Sequence, residues 1–240
     1  MKIIAKNYDT VDGVNLRSTK GMVNMEETLG ENATPGTETD LGEKLNPWLT
    51  IWYKPRATFR SAINYKNMNL LVFLAIMAGV TETFDRAIAE NMGEHMSTLM
   101  VFLFIIILGA IVGMLSWLIW SAINYYVGKL LKGKGTIQEM NTAMAISFIP
   151  LAVSGIFCLL DVIFLRDALF VEAYLSPFQI GWLFVSAFFV FILSVWSLFL
   201  MIKAVAEVHR FSSWKGLLTL LIPTAVIFII IIGIVIIAMI

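Results

Sequence analysis

The chain has 240 residues, of which 59% are hydrophobic and 14% are charged, and 17 basic residues stand against 17 acidic ones. So few polar side chains cannot cover one aqueous core of this size, which excludes a soluble globular domain and indicates an integral membrane protein. The balanced charge provides no attraction for nucleic acid. Cys158 is the single cysteine, so no disulfide forms within the chain, and its apolar surroundings in the sequence indicate a packing role.

Residues 1–45 form a polar leader with scattered charges, few aromatic residues and a turn cluster at Thr34-Pro35-Gly36-Thr37. The apolar content of this leader is too low to offset the entropy of ordering it, so it is predicted to be a flexible cytoplasmic tail. The leader also lacks the apolar core of a signal peptide near its start. We therefore expect neither cleavage nor passage of the tail across the membrane.

Residues 46–60, which we call the adaptor, separate the leader from the apolar remainder of the chain. Asn46 can cap a short helix that begins at Pro47, and Pro55 should end that helix after a bend at Lys54. Because aromatic and basic side chains together suit a headgroup layer, the adaptor is predicted to include an amphipathic helix in the membrane interface. The apolar face of that helix consists of Trp48, Ile51 and Trp52.

Five apolar runs follow, and each is near or above the ~17–25 residues that span a hydrocarbon core. The sequence therefore predicts an all-α membrane domain over residues 46–240 with five transmembrane helices. The first run is the weakest, because its apolar part ends at Val80 and Glu82 is then expected at the far interface. No ionisable residue is predicted at mid-depth. The predicted spans are residues 68–84, 99–127, 142–164, 178–205 and 214–240.

Local signals mark where helices begin, bend and approach one another. Capping boxes are predicted before the third span, from Thr136 and Glu139, and before the fourth, from Ser176 and Gln179. Prolines inside a span free a carbonyl and should kink the helix, either to fit a shape or to gate a path. A small-xxx-small pair permits close helix packing, in a dimer or within the chain. These kink and packing residues are Pro150 and Pro223, and Gly109 and Gly113.

The charges of the connecting segments predict the orientation of the spans. Basic residues concentrate before the first span, between the second and third, and between the fourth and fifth, whereas the other connections are mainly acidic. The positive-inside rule therefore places the N-terminus in the cytoplasm and the C-terminus outside. The basic residues concerned are Lys54, Arg56, Arg60, Lys66, Lys129, Lys132, Lys134, Lys203, Arg210 and Lys215.

No set of side chains suited to catalysis or metal binding is predicted. His95 and His209 lie on opposite sides of the predicted membrane without further ligands, so we expect no metal, no cofactor and no enzymatic activity. The stretch from Gly128 to Lys134 fits the start of a P-loop, but Gly135 replaces the required Ser or Thr and a membrane helix replaces the strand. No nucleotide site is therefore expected, and a basic hairpin at the height of anionic headgroups is the better interpretation.

The predicted topology returns three segments to one membrane face: the adaptor, the basic loop at residues 128–136, and the turn at residues 207–214. We expect short connections to join them in a surface for other membrane proteins or anionic lipid headgroups. Arg56 and Arg210 would hold phosphates or carboxylates there, and Glu207 would fix one of these arginines or pair with Lys203. The alternative is that these charges only orient the chain. The predicted contact residues are Trp48, Trp52, Lys54, Pro55, Arg56, Lys129, Lys132, Lys134, Glu207, His209, Arg210 and Trp214.

Four stretches carry a resemblance to a known family: NPWLTIWYKPRATFR in the adaptor, Gly128 to Thr136, Pro150, and Glu207 to Gly216. Their order over residues 45–240 resembles the prokaryotic branch of the Yip1 domain family. The resemblance implies a bacterial inner-membrane protein with five spans and a cytosolic N-terminus. Eukaryotic members are associated with prenylated Rab GTPases, but their Asp-Leu-Tyr-Gly-Pro signature is not present in this sequence, so Rab binding is not expected. Some bacterial relatives accompany ABC-type exporters, and the resemblance therefore implies an accessory role that involves binding to a partner.

The sequence thus predicts a non-enzymatic scaffold or accessory factor for other membrane proteins, such as an ABC-type exporter complex, that acts through its cytoplasmic face. The alternative is a small permease or lipid-handling transporter with a path between the kinked spans. A hydrated, polar-lined cavity would favour the alternative. The polar residues of the predicted spans are few and mostly dispersed along the sequence.

Overall fold

The structure, a computed structural model, describes residues 43–239, so residues 1–42 of the predicted tail lie outside the described residues. This described part of the chain is helical and contains no strand. Short 3₁₀ turns occur at Met92–Glu94 and Arg166–Ala168. The α-helices are α1 (Pro47–Thr50), α2 (Pro55–Asn64), α3 (Met68–Ala89), α4 (Thr98–Leu130), α5 (Ile137–Ser147), α6 (Ile149–Leu165), α7 (Pro177–His209) and α8 (Ser213–Met239).

Five helical segments are long and apolar enough to cross a membrane, which confirms the predicted all-α, five-span fold. The segments are α3, α4, α5 with α6, α7, and α8 as far as Ile237. The first span continues to Ala89, beyond its predicted end at residue 84, and the third begins at Ile137 instead of residue 142. Asp85, which the predicted bounds left outside the first span, therefore lies within α3 together with Glu82.

Both predicted capping boxes begin helices. Thr136 N–H donates to Glu139 Oε2 at 2.7 Å, and Glu139 N–H donates to Thr136 Oγ1 at 3.3 Å at the start of α5. At the start of α7, Ser176 N–H donates to Gln179 Oε1 at 3.0 Å, and Gln179 N–H donates to Ser176 Oγ at 3.4 Å. Each box satisfies donors that lack a partner within the helix, which explains why these two helix starts could be read from the sequence.

The two prolines of the spans have different surroundings. The third span is divided at Phe148, and Pro150 lies in the first turn of α6, where its missing N–H costs no helical hydrogen bond. Pro223 lies inside α8, which continues through it to the end of the described residues. The third span is therefore interrupted next to Pro150, whereas the fifth span is continuous through Pro223.

Three glycines allow α3 and α4 to cross closely. Gly79 of α3 lies against Gly109 and Gly113 of α4, and a Cβ added to Gly79 would overlap the backbone of both. A Cβ on Gly109 would lie 2.7 Å from the Cα of Val80, which is also too close. Gly109 and Gly113 therefore serve packing within the chain, one of the two alternatives left open by the sequence.

Two hydrophobic clusters lie at opposite ends of the bundle. At one end α5 is surrounded by α2, α3, α4 and α7, and every residue from Thr142 to Pro150 is buried. Phe84 and Phe170 belong to the cluster at the other end, where Gly93 N–H donates to the Phe170 carbonyl at 2.8 Å. We call the first the basic end and the second the acidic end. Exposed residues of the basic end include Arg56, Arg60, Lys129, Lys132, Lys134 and Arg210, and those of the acidic end include Glu90, Glu94 and Glu172.

Candidate functional site at the basic end

The three segments predicted to share one membrane face meet at the basic end. The adaptor reaches the turn through ion pairs of Arg56 and Arg60 with Glu207. The basic loop reaches the same turn through Lys134, whose N–H donates to the His209 carbonyl at 3.2 Å. The turn therefore joins the adaptor to the basic loop.

Glu207 is the centre of this junction. Its side chain is 12% exposed, and its carboxylate contacts the guanidinium of Arg60 and lies 3.9 Å from that of Arg56. Arg56 and Arg60 are four residues apart on α2, so the helix presents both to α7. Arg60 is missing from the predicted contact residues. Its helical spacing from Arg56 is the signal that would have identified it.

Lys203 and Ser213 form a second contact beside Glu207. The Lys203 ammonium donates to Ser213 Oγ at 3.0 Å and lies 5.1 Å from the centre of the Phe199 ring. Arg56 Nη2 donates to the same Ser213 hydroxyl at 3.5 Å. The predicted pair of Lys203 with Glu207 is therefore wrong. The Glu207 carboxylate pairs with Arg56 and Arg60, and Lys203 instead contacts Ser213, the first residue of α8.

His209 is buried, with 1% of its surface exposed, in a socket formed with the basic loop. A Cβ on either Gly128 or Gly133 would overlap the imidazole ring, so the two glycines make room for it. Tyr125 and Phe211 stack near it, with ring centres 6.2 and 5.4 Å from that of the imidazole. A buried ring cannot meet a partner directly. The structure thus gives His209 the role of positioning the basic loop.

The basic loop folds back on the end of α4. Gly133 N–H donates to the Gly128 carbonyl at 2.9 Å, and Lys132 bends the chain with a φ of 66°. The Lys129 ammonium lies 5.6 Å from the centre of the Tyr125 ring, a distance suited to a cation–π contact. The backbone of the loop is held against the protein while its three lysine side chains remain exposed.

The adaptor packs against the helical bundle. Its first helix is limited to Pro47–Thr50. Ile51 is fully buried, and the Trp52 ring stacks on Trp196 of α7 with ring centres 6.5 Å apart. The apolar stripe of the adaptor is therefore covered in part by the protein itself, and Trp52 remains 37% exposed at the edge of this contact.

Most of the other predicted contact residues lie at the surface of the basic end. Arg210 ends α7 with a φ of 56°, and its exposed guanidinium has no hydrogen bond or ion pair within the part of the chain that the structure describes. Trp214 is 70% exposed four residues further on. The exposed contact residues are Trp52, Lys54, Arg56, Lys129, Lys132, Lys134, Arg210 and Trp214, and Trp48, Pro55 and Glu207 are partly buried.

A separate cleft of about 370 Å³ lies in the bundle between α3, α4, α6 and α7. Its lining includes serine hydroxyls that are dispersed along the sequence, two carboxylates and two tryptophans. Within residues 43–239, no group of three or more His, Cys, Asp or Glu side chains could hold a metal ion. The residues that give the cleft its chemical character are Glu82, Asp85, Ser116, Trp117, Trp120 and Ser194.

The two carboxylates of the cleft lie within the first membrane-length helix, α3, which extends to Ala89. Gly79 crosses α4 at Gly113, which is near the middle of that helix. At a rise of about 1.5 Å per residue, Glu82 lies ~5 Å and Asp85 ~9 Å beyond Gly79 along α3. Half of a hydrocarbon core is about 15 Å thick, so both residues fall within the apolar layer when α4 is centred in it. With α4 centred in this way, Glu82 would lie nearer to the middle of the layer than the far interface at which the sequence placed it.

Comparison with known protein families identifies one match. The model of the Yip1 domain family matches residues 49–235, which is more than half of the chain. The matched range contains nearly all of the adaptor, the basic loop and the turn. No curated protein and no solved structure matches the chain.

Proposed function

This chain belongs to the Yip1 domain family, and we propose that it serves other membrane proteins as a non-enzymatic scaffold or accessory factor that acts through its basic end. Its multi-pass character follows from the five spans. The resemblance to prokaryotic members supports an ABC-type exporter complex of a bacterial inner membrane as the class of partner. The positive-inside rule supports a cytoplasmic position for the basic end.

The observation that carries the proposal is that the three segments of the basic end, which carry the exposed cations, are held together in a fixed arrangement. Orientation in the membrane depends on the sum of the charges and needs no particular geometry. Here Glu207 binds two arginines and His209 anchors the basic loop, so three segments present their charges from defined positions. A surface built in this way suits the recognition of a shaped anionic group.

Arg210 and Trp214 are the residues best placed to contact a partner. The Arg210 guanidinium is exposed and has no ion-pair partner among residues 43–239, whereas Arg56 is already engaged with Glu207 and Ser213. Arginine and tryptophan dominate the energetic centres of protein interfaces, and a guanidinium binds a carboxylate with two parallel hydrogen bonds. We therefore assign the main recognition role to Arg210.

The test compares Arg210→Lys with Arg56→Lys, because both substitutions retain the charge and remove the planar donor pair. Each tagged variant is crosslinked in native membranes and purified, and the captured membrane proteins are quantified by mass spectrometry. We expect Arg210→Lys to lower the yield of partner proteins at least several-fold, with a smaller loss for Arg56→Lys. Expression, topology and thermal stability should stay unchanged.

The double variant Arg56→Lys with Arg210→Lys completes this test. If it captures the same proteins in the same amounts as the wild type, the arginines serve only to orient the chain and the proposal fails. Loss of co-purified anionic lipid, with capture of proteins unchanged, would assign the surface to headgroups and would also contradict a scaffold that binds proteins through Arg210.

A small permease or lipid-handling transporter is the second candidate function, and the polar-lined cleft is the observation that favours it. Its hydroxyls, carboxylates and indole rings are what a path for a polar or amphipathic solute requires. Toward the basic end, however, the cleft is lined by the buried Phe148, which lies between α5 and α6. Transport would therefore require these helices to separate, whereas binding at the basic end requires no such movement.

A further inference from the structure

We propose that Lys203, Ser213 and Arg56 form a binding site for the phosphate of an anionic phospholipid at the basic end. The ligand is a lipid and not the partner protein of the scaffold function. Arg210, to which the scaffold function assigns the main recognition role, takes no part in the lipid site. Either proposal can therefore fail without the other.

The first argument is that Lys203 is a partly buried cation without a carboxylate beside it. Its ammonium has no ion pair within residues 43–239. It donates to the Ser213 hydroxyl at 3.0 Å and lies 5.1 Å from the centre of the Phe199 ring. Neither of these groups carries a negative charge. Because a partly buried charge is costly without a counter-charge, Lys203 favours an anionic ligand at this position.

The second argument is that two cations donate to the same neutral oxygen. Lys203 Nζ lies 3.0 Å and Arg56 Nη2 lies 3.5 Å from Ser213 Oγ. The Glu207 carboxylate lies 3.9 Å from the Arg56 guanidinium, but it also pairs with Arg60. The three cationic side chains at this junction therefore have a single carboxylate to balance them. The excess of positive charge attracts an anion.

The third argument is that the Ser213 hydroxyl still has a proton to donate. A serine hydroxyl combines one donor with two acceptor lone pairs. Lys203 and Arg56 donate to Ser213 Oγ, and the hydroxyl proton has no acceptor among the residues that the structure describes. Ammonium and guanidinium groups have further N–H donors as well. The three side chains can thus donate to different oxygens of one phosphate group, and the bonds from the two cations are charge-assisted.

The position of Lys203 along α7 matches the headgroup layer. The helix has 33 residues, which corresponds to a length of ~50 Å at a rise of about 1.5 Å per residue. When a hydrocarbon core of about 30 Å is centred on the helix, ~10 Å of α7 extends beyond the core at each end. Lys203 lies ~9 Å before the end of α7 at His209, so it is at the boundary between acyl chains and phosphates.

Exposed aromatic side chains next to the site favour a lipid over a soluble anion. Phe199, one turn before Lys203 on α7, is 38% exposed, and Trp214, which follows Ser213, is 70% exposed. Exposed apolar surface beside the cations suits acyl chains, and tryptophan is enriched at the height of the headgroups. A free phosphate gains nothing from this surface, whereas a phospholipid uses both the donors and the aromatic rings.

The experiment uses the full chain, purified in dodecyl maltoside and freed of co-purified lipid. Dioleoyl phosphatidylglycerol is titrated in, and native mass spectrometry follows the first bound lipid. Dioleoyl phosphatidylcholine, which has the same acyl chains and no net charge, is the reference. We expect the wild type to bind the anionic lipid at least about tenfold more tightly than the reference lipid. Lys203→Gln should weaken binding of the anionic lipid at least about fivefold, and Ser213→Ala should weaken it several-fold.

The matched control is Lys215→Gln, which removes the same charge from the same end of the molecule. Lys215 is exposed and follows Ser213 by two positions, which places it on the opposite face of α8. This variant should bind phosphatidylglycerol like the wild type. All variants must elute as the wild type on size exclusion, and Ser213→Ala keeps the test valid if Lys203→Gln fails to fold.

Wild-type affinity for phosphatidylglycerol in Lys203→Gln or in Ser213→Ala would overturn the proposal, and so would equal affinity of the wild type for the two lipids. An equal loss in Lys215→Gln would mean that only the summed charge of the basic end attracts the lipid, which also contradicts a built site. Displacement of the bound lipid by glycerol phosphate at equal concentration would assign the site to soluble phosphates and would overturn it as well.

Discussion

Glu207 at the end of α7 forms an ion pair with Arg60 on α2, although the two residues are 147 positions apart in the sequence. Four spans are crossed from one residue to the other. The pair therefore connects the segment before the first span to the segment at the end of the fourth. Glu207 is only 12% exposed, so its carboxylate depends on these arginines for compensation of its charge.

Loss of this ion pair should loosen the adaptor more than it lowers the stability of the whole protein. The two arginine side chains are 55% and 70% exposed, so Glu207→Gln should reduce the free energy of unfolding by only about 1 kcal/mol or less. Amide hydrogen exchange of residues 46–64 should nevertheless become faster, because α2 loses its tie to α7. Hydrogen exchange with mass spectrometry, on protein in nanodiscs, measures this directly.

Glu172→Gln serves as the control for this prediction, since it removes an exposed carboxylate at the acidic end. Exchange of residues 46–64 should be unaffected by it. Identical exchange in the Glu207→Gln and Glu172→Gln variants would show that the ion pair does not hold the adaptor.

The socket around His209 leads to a prediction about two glycines of the same chain. Gly128→Ala should lower the free energy of unfolding by about 2 kcal/mol, as expected for overpacking, because its Cβ would overlap the buried imidazole. Gly181→Ala is the matched control, since no heavy atom lies within 4 Å of the added Cβ and alanine favours a helix by up to ~1 kcal/mol. Thermal stability followed by fluorescence-detected size exclusion compares the two.

A double substitution shows whether overlap with the ring is the cause. His209→Ala removes the imidazole, so Gly128→Ala should cost little in that background, and the two effects should not add. Full additivity of the two substitutions would mean that Gly128 is required for some other reason than the space it leaves to His209.

Orientation in the membrane can be measured with single cysteines. Cys158 is buried, and replacing it with alanine removes the only native thiol. Glu90→Cys and Lys134→Cys then place exposed thiols at the acidic and basic ends. We expect a membrane-impermeant maleimide to label Glu90→Cys in intact cells and Lys134→Cys only after permeabilisation. Labelling of Lys134→Cys from outside would reverse the topology, and labelling of both from outside would contradict the five-span count.

Local properties of the sequence determined the class of the protein, the number of spans and several helix starts. Hydropathy summed over a run needs no knowledge of neighbours, and the capping boxes at Thr136 and Ser176 join residues only three positions apart. The clustering of basic residues in three connections can likewise be read from the sequence without knowledge of which residues are neighbours in space. The sequence also brought the adaptor, the basic loop and the turn to one side, because an even number of crossings separates each pair.

Only the tertiary structure decided which side chains meet. In a soluble helix the apolar stripe marks the buried face, but lipid is as apolar as a protein core, so α4 is apolar on its buried and exposed faces alike. Gly79 and Gly113 fix how α3 and α4 cross, and that crossing sets the depth of Glu82 and Asp85. The pairing of Glu207 with Arg60, the burial of His209 and the lining of one cleft by Ser116 and Ser194 depend on such crossings between distant segments, which hydropathy and spacing along the chain do not encode.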